Sequence, residues 1–306
     1  MIRQLNQSMR PLSNRISRHQ EYQYLQLIQD ILNDGEYQEG RNGRTKQLFG
    51  ASMRFSLENQ FPLLTTKRVA WKTCLRELLW FIRGSTDNRE LREKNVHIWD
   101  ANGSREFLDS RGLSHYSEDD LGPIYGYQWR HFNAPYTSTK QDPPTGYPDQ
   151  LQEIIDSLKD PEKRYSRRLI MTAWNPCQLN EMALPPCHVL SQFHVQGNKL
   201  SCALYQRSAD VGLGMPFNIA SYSFLTYLLA HHCGLIPHEF VYFVGNAHIY
   251  EDHIPALEKQ CLREPFPFPK VSIQASPKET IEDYGEEDIR LETYKNHGVV
   301  KMNMVA

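Results

Sequence analysis

Acidic residues are missing from the first twenty positions, no C-x-x-C pair occurs anywhere, and no apolar run approaches the ~20 residues a membrane-spanning helix needs. Each absence narrows the function. With 34 Lys and Arg against 36 Asp and Glu, the formal net charge of −2 gives no electrostatic ground for nucleic-acid or membrane attachment. The six cysteines, at 74, 177, 187, 202, 233 and 261, have no zinc-like spacing and follow no signal peptide. They read as reduced, mostly buried thiols, so no metal is expected and the location expected is cytoplasmic or nuclear. Internal repeats and low-complexity segments are absent too, and nothing resembles a linker between two cores. With 306 residues, 40 % of them hydrophobic, the chain can bury one sizeable core.

The division expected is a basic tail, residues 1–20, and one α+β domain, residues 21–306. The tail carries Arg3, Arg10, Arg15 and Arg18. Its apolar stripe, Ile2, Leu5, Met9, Leu12 and Ile16, is interrupted by Pro11. A disordered tail and a mitochondrial presequence share this composition.

Within the domain, apolar periodicity marks helices over 22–32, 66–84 and 151–158, the second ending at Gly84. Glu77 stands in an apolar stripe of that second helix, with Ala70, Cys74 and Phe81. A carboxyl so placed has a raised pKa and exchanges protons near neutrality; the alternative is a buried ion pair to Arg76 or Arg83. The loop from Gly40 to Thr45 holds Arg41 and Arg44 and reads either as an anion-binding loop or as a solvated turn. Residues 103–121 and 133–149 are polar and rich in turn formers, as surface insertions are. Between them, glycines beside Tyr125 suggest close backbone approach. Residues 215–233 form a helix apolar nearly all round, hence buried, with Asn218 near its start as an N-cap or a ligand. A strand over 240–244 runs on to place His248 and Tyr250 on one side. A further ladder is expected around residues 270–273.

The most informative stretch is 184–222. Residues 189–195 and 199–205 alternate as strands about the turn pair Gly197-Asn198. A two-residue turn sets Gln196 opposite Lys199, and that register continues to Cys187 opposite Ser208, with Arg207 alongside. A guanidinium there favours the thiolate, which is the nucleophile.

Pro185-Pro-Cys-His188, Gln206-Arg-Ser-Ala-Asp210, Leu213-Gly-Met-Pro-Phe-Asn-Ile-Ala-Ser-Tyr222 and His248-Ile-Tyr250 together resemble the thymidylate synthase family. Phe61-Pro-Leu-Leu-Thr-Thr-Lys-Arg68, Glu77-Leu-Leu-Trp-Phe81, Ile98-Trp-Asp100 and Gly122-Pro-Ile-Tyr-Gly126 match it as well, in the same order. The resemblance runs from about Tyr22 to Ala306, and the insertions are like those of the longer, eukaryotic-type members. It implies an α+β subunit with a mostly antiparallel, mixed and twisted β-sheet at a homodimer interface, flanked by helices. It also implies reductive methylation of dUMP to dTMP. The co-substrate 5,10-methylenetetrahydrofolate would supply both the one-carbon unit and the hydride, and leave as dihydrofolate.

Roles carry over residue by residue. Cys187 would attack carbon 6 of the uracil. Glu77 would exchange protons through water and the uracil carbonyl, and Tyr125 would stand near the departing carbon-5 proton. Asn218 would read the uracil edge. Arg207, Ser208 and Arg41 would hold the phosphate, and Arg167 and Arg168 would reach the partner subunit's phosphate. His248 and Tyr250 would bind the sugar, with His188 and Gln206 completing the polar network. Asp210, at the edge of the nucleotide site, would hold the folate pterin. Trp99, Asn102, Gly214 and Phe217 would contact folate, and Lys67 its anionic glutamate tail.

The chain departs from the family pattern in three places. Its Gly40-Arg-Asn-Gly-Arg44 is one residue shorter than usual, which leaves Arg44 as an alternative to Arg41. Asn246 stands where an aspartate is usual, and Tyr294-Lys-Asn-His-Gly298 replaces Tyr-x-Pro-His-Pro. Two alternatives follow: a deoxycytidylate hydroxymethylase, and a catalytically impaired nucleotide- or RNA-binding relative. The amide of Asn218 argues for uracil over cytosine, because it can both donate and accept.

Overall fold

Apolar side chains three and four apart wind Tyr22–Asp34 into α1, which buries Tyr24, Leu25, Ile28 and Ile31. The computed structural model describes residues 19–40 and 43–304. The tail through residue 18, Arg41 and the last two residues lie outside it. Two strands follow α1: β1 (Glu36–Gly40) and β2 (Gly43–Ser56). They pair as a tight hairpin, so the expected loop reduces to its two-residue tip.

The next helix, α2 (Trp71–Ile82), begins five residues later than periodicity suggests. Buried Glu21 draws residues 65 and 66 out of helix: its carboxylate accepts from both Thr65 and Thr66, backbone N–H and hydroxyl alike, at 2.6–3.0 Å. Four short helices follow: α3 (Asn88–Glu93), α4 (Asp100–Gly103), α5 (Arg105–Ser110) and α6 (Tyr125–Arg130). The stretch 103–121 is no surface loop, since Leu108, Leu113 and Tyr116 are buried in the core. Gly126 is required where α6 meets α2, because a Cβ there would lie 2.4 Å from the carbonyl oxygen of Phe81.

After α7 (Gln150–Lys159) come β3 (Ile170–Thr172), β4 (His188–Gln196), β5 (Lys199–Asp210), α8 (Gly214–His232), β6 (Ile236–Tyr250) and α9 (Ile254–Cys261). A separate hairpin joins β7 (Lys270–Ile273) to β8 (Ile289–Glu292). The main sheet runs β1-β2-β6-β5-β4-β3. All its pairs are antiparallel except β5 with β6, which are parallel and joined through α8. The fold is therefore α+β with a mixed sheet.

The helical layer covers one sheet face. Leu200, Cys202 and Leu204 of β5 and Phe240, Tyr242 and Val244 of β6 point into it and are buried. Burying each such apolar side chain is worth about 1.5–3 kcal/mol. The alternate residues are open: Tyr205 is 42 % exposed, Phe243 45 % and Ile170 41 %.

Candidate active site

The hairpin of β4 and β5 positions the thiol. Its register runs from Gln196 opposite Lys199 to Leu190 opposite Tyr205, as the turn pair requires. A bulge at Val189 then shifts it, so His188 pairs with Gln206 and the Arg207 N–H donates to the Cys187 carbonyl at 3.0 Å. Cys187 therefore lies opposite Arg207 rather than Ser208. The guanidinium donates through Nε to the Pro186 carbonyl (2.9 Å) and through Nη2 to that of Pro185 (3.0 Å), and sits over the Trp174 ring. Among the described residues Nη1 makes no further bond.

The Cys187 N–H donates to the Tyr125 hydroxyl at 2.7 Å. The expected thiolate does not prevail in the free protein. Burial pushes the Cys187 thiol above its ordinary value, although Arg207 and Tyr125 pull the other way. Tyr125 itself is raised well above 10 by burial and stays a neutral hydroxyl.

Glu77 is buried on α2, and burial lifts its pKa to about 7. The indole Nε1–H of Trp99 donates to its Oε1 at 2.8 Å. The ion-pair alternative fails: Arg76 pairs with Glu286, and no cation pairs with Glu77 among the described residues. The carboxyl is thus half-protonated near neutrality, as general acid–base work requires.

Asn218 lies in the second turn of α8 and does not cap it. Its Oδ1 accepts from Gln206 Nε2 at 3.0 Å and its Nδ2 donates to His188 Nε2 at 2.7 Å. The hydroxyl of Tyr242 donates to Gln206 Oε1 at 2.5 Å, which fixes the orientation of both amides. Burial holds His188 at a pKa of about 3, so it remains a neutral acceptor. One lone pair and one N–H hydrogen of Asn218 remain for a ligand.

The parallel register of β5 and β6 sets Ser208 beside Asn246 and Asp210 beside His248. Asn246 accepts from His248 Nδ1 at 2.9 Å and donates to Gln47 Oε1 at 2.8 Å. The amide thus holds His248 without the usual carboxylate. The rings of His248 and Tyr250 meet edge-on with centroids 5.5 Å apart. Asp210 accepts from the N–H groups of Gly212 (2.8 Å) and Leu213 (3.3 Å).

Beside Asp210 a cleft of about 690 Å³ is lined by Lys67, Leu213, Phe217 and residues 299–303. Lys67 is buried, its Nζ donates to the Gly212 carbonyl at 2.8 Å, and burial lowers its pKa to about 8 despite Asp210. Its ammonium therefore faces Gly212 and Asp210. Gly214 opens α8 at the edge of this cleft, and Trp99 and Asn102 are buried at α4.

The remaining candidates stand apart. Arg167 and Arg168 are exposed just before β3, and neither guanidinium bonds to a described residue of its own chain. Arg44 pairs with Glu251 at 3.1 Å and Glu39 at 3.4 Å, and stacks on Tyr37. Among the described residues no group of His, Cys, Asp and Glu is placed to hold a metal ion, and no helix is long and apolar enough to cross a membrane. Sequence reasoning missed Tyr242, Gln47 and Trp174. Tyr242 is two positions from Val244 on the inward side of β6, a signal that periodicity carried without showing its hydroxyl's partner.

A thiol beside a guanidinium, a carboxyl titrating near neutrality and an oriented amide are together the groups of an enzyme site. The chain belongs to the thymidylate synthase family, whose model matches residues 22–306. It is 54 % identical to the thymidylate synthase of Homo sapiens over 288 residues, covering 94 % of this chain and 91 % of that protein. It is 54 % identical to the thymidylate synthase of Saimiriine herpesvirus 2, covering 94 % of this chain and 97 % of the viral one. The bifunctional dihydrofolate reductase-thymidylate synthase of Zea mays is 52 % identical, but the chain spans only 55 % of its length.

Proposed function

We propose that the protein converts dUMP to dTMP, with 5,10-methylenetetrahydrofolate giving the one-carbon unit and the hydride and leaving as dihydrofolate. The observation that carries this reading is the placement of Cys187 between Arg207 and Tyr125, next to the fixed amide of Asn218. The phosphate of dUMP meets the free Nη1 of Arg207 and Ser208. Cys187 adds to carbon 6, and carbon 5 becomes nucleophilic and attacks the methylene carbon as one of its bonds to a folate nitrogen breaks. Carbon 5 then gives up its proton, the second carbon–nitrogen bond breaks, the folate delivers its hydride to the methylene carbon, and the thiolate leaves carbon 6. Glu77 relays protons at the uracil carbonyl, and Tyr125 stands beside the carbon-5 proton. His248 and Tyr250 bind the sugar. Asp210 accepts from the pterin, and Gly214, Phe217, Trp99, Asn102 and Lys67 border the folate.

The working unit we propose is a homodimer packed through the open sheet face that carries Tyr205, Phe243 and Ile170. It would bring Arg167 and Arg168 to the partner's phosphate site and Arg41 to its own. A cytoplasmic or nuclear location is part of the same proposal. Mixing purified protein with dUMP and methylenetetrahydrofolate tests the reading through the absorbance of dihydrofolate. A signal with dUMP and none with dCMP is expected. Silence with dUMP from a folded dimer at saturating folate would overturn it.

A further inference from the structure

We propose that His253 is a positioning residue that couples the folate-reading carboxylate of Asp210 to the C-terminal segment, seating residues 299–304 only while its imidazole is protonated. This rests on the reading of Asp210 given above. His253 ends the turn before α9 and is fully buried. Its Nε2 lies 2.7 Å from the carbonyl oxygen of Asn303, so that nitrogen must carry a hydrogen. Its Nδ1 is buried, has no hydrogen-bond partner, and lies 3.8 Å from Asp210 Oδ1. In the neutral ring Nδ1 would aim a lone pair at a carboxylate. In the imidazolium it aims an N–H there instead, and both ring nitrogens are used.

The charges around the ring point the same way. Asp210 faces it from β5, and Asp252 on its own turn lies 3.9 Å from Nε2. His248 on β6 is held neutral, chiefly by burial, and the Tyr250 ring of the same strand packs edge-on against His253 with centroids 5.5 Å apart. Lys67 stands across Asp210, its pKa lowered by burial to about 8. Burial pulls the His253 pKa down, but Asp210, the Asn303 carbonyl and Asp252 outweigh it and leave the pKa raised. Packing leaves no slack. A Cβ on Gly212 would lie 3.0 Å from both His253 Nδ1 and Met302 Sδ, so loop, ring and C-terminal segment touch at one point. Among the described residues, the bond to His253 is the only hydrogen bond tying residues 299–304 to the rest of the domain. Losing that proton leaves a lone pair facing either the Asp210 carboxylate or the Asn303 carbonyl, so the neutral ring cannot serve both and its hold on the segment weakens.

The test uses the 306-residue chain as a dimer, without ligands. Carboxypeptidase release of the C-terminal residues is followed from pH 6 to pH 9, normalised to a free peptide of residues 295–306. The parent should show roughly tenfold faster release as the imidazole loses its proton. His253→Gln keeps a donor for Asn303 but cannot carry charge. It should release fast at every pH, and should raise the KM for methylenetetrahydrofolate while leaving the KM for dUMP alone. Protection in the parent that does not change with pH overturns the proposal, and so does a folded His253→Gln dimer protected like the parent. A flat release profile of the parent overturns the proposal even if the variant fails to fold. The release measurement also needs no turnover, so absence of dTMP formation would count against the proposed reaction alone.

Discussion

The side-chain amide of Asn218 donates to Nε2 of His188 over 2.7 Å while its oxygen accepts from Gln206. The two bonds fix which end of the amide is which, and what remains is one donor and one acceptor. That pair suits the carbonyl and ring N–H of uracil and mismatches the amine and bare nitrogen of cytosine. Asn218→Asp should lower kcat/KM for dUMP by about ten- to a hundredfold, the cost of an unpaired polar group, and should admit dCMP. Binding of the two nucleotides measured by calorimetry checks this. An unchanged preference for dUMP would show that another group reads the base.

Glu77 predicts opposite effects on stability and activity. A carboxyl whose folded pKa is about 7 and whose ordinary value is 4.5 holds more protons folded than unfolded between those values. Stability from this group therefore falls as pH rises from 4.5 to 7, by roughly 3 kcal/mol in all. Glu77→Gln keeps the acceptor for Trp99 and cannot ionise. Its melting temperature should exceed the parent's at pH 8, the two converging at pH 5, while turnover drops by about 10²–10⁴-fold. A lower melting temperature at pH 8 would contradict the assignment.

In the ligand-free enzyme Cys187 is held mainly as thiol by burial, and Arg207 limits that rise. Alkylation of Cys187 by iodoacetamide should therefore accelerate steeply above pH 8. Arg207→Met should slow it severalfold at fixed pH, because the thiol's pKa rises further without the guanidinium. A Cys177→Ser background removes the exposed competitor. Equal rates with and without the guanidinium would dismiss its role in activating the thiol.

Among the described residues the guanidinium groups of Arg167 and Arg168 have no partner within their own chain, which suits ligands supplied to a neighbour. Arg168→Ala and Cys187→Ser dimers should each be nearly inactive. Refolding an equal mixture should restore about a quarter of parental activity, because in half the dimers both lesions fall in the same site and leave the other intact. No recovery from demonstrated heterodimers would mean that each site is built from one chain.

Most of the frame was legible in the residues, for physical reasons. A two-residue turn with Gly197 in the left-handed region fixes the β4–β5 register from Gln196–Lys199 to Leu190–Tyr205 without reference to anything distant. The continuous apolarity of α8 gives its burial. What local pattern cannot carry is the competition between distant groups. The bulge at Val189 moves Cys187 from Ser208 to Arg207. Glu21, 44 residues from Thr65, holds residues 65 and 66 outside α2. Arg207 beside Cys187 predicts thiolate, but the desolvation that reverses it depends on the whole packed shell. Asn246, read as a lost charge, turns out to bridge Gln47 and His248, which only the β2–β6 pairing brings together. His253 shows nothing in sequence, since its partners come from β5 and the C-terminal segment.

Addition of Cys187 to carbon 6 is the central claim, and loss of the carbon-5 hydrogen follows from it. Release of tritium from dUMP labelled at carbon 5, in the presence of methylenetetrahydrofolate, measures that step directly. The parent should release label in proportion to dTMP formed. Cys187→Ser, with dUMP binding intact, should release it at least about 10⁴-fold more slowly. Comparable release from the serine variant would contradict covalent catalysis by this thiol.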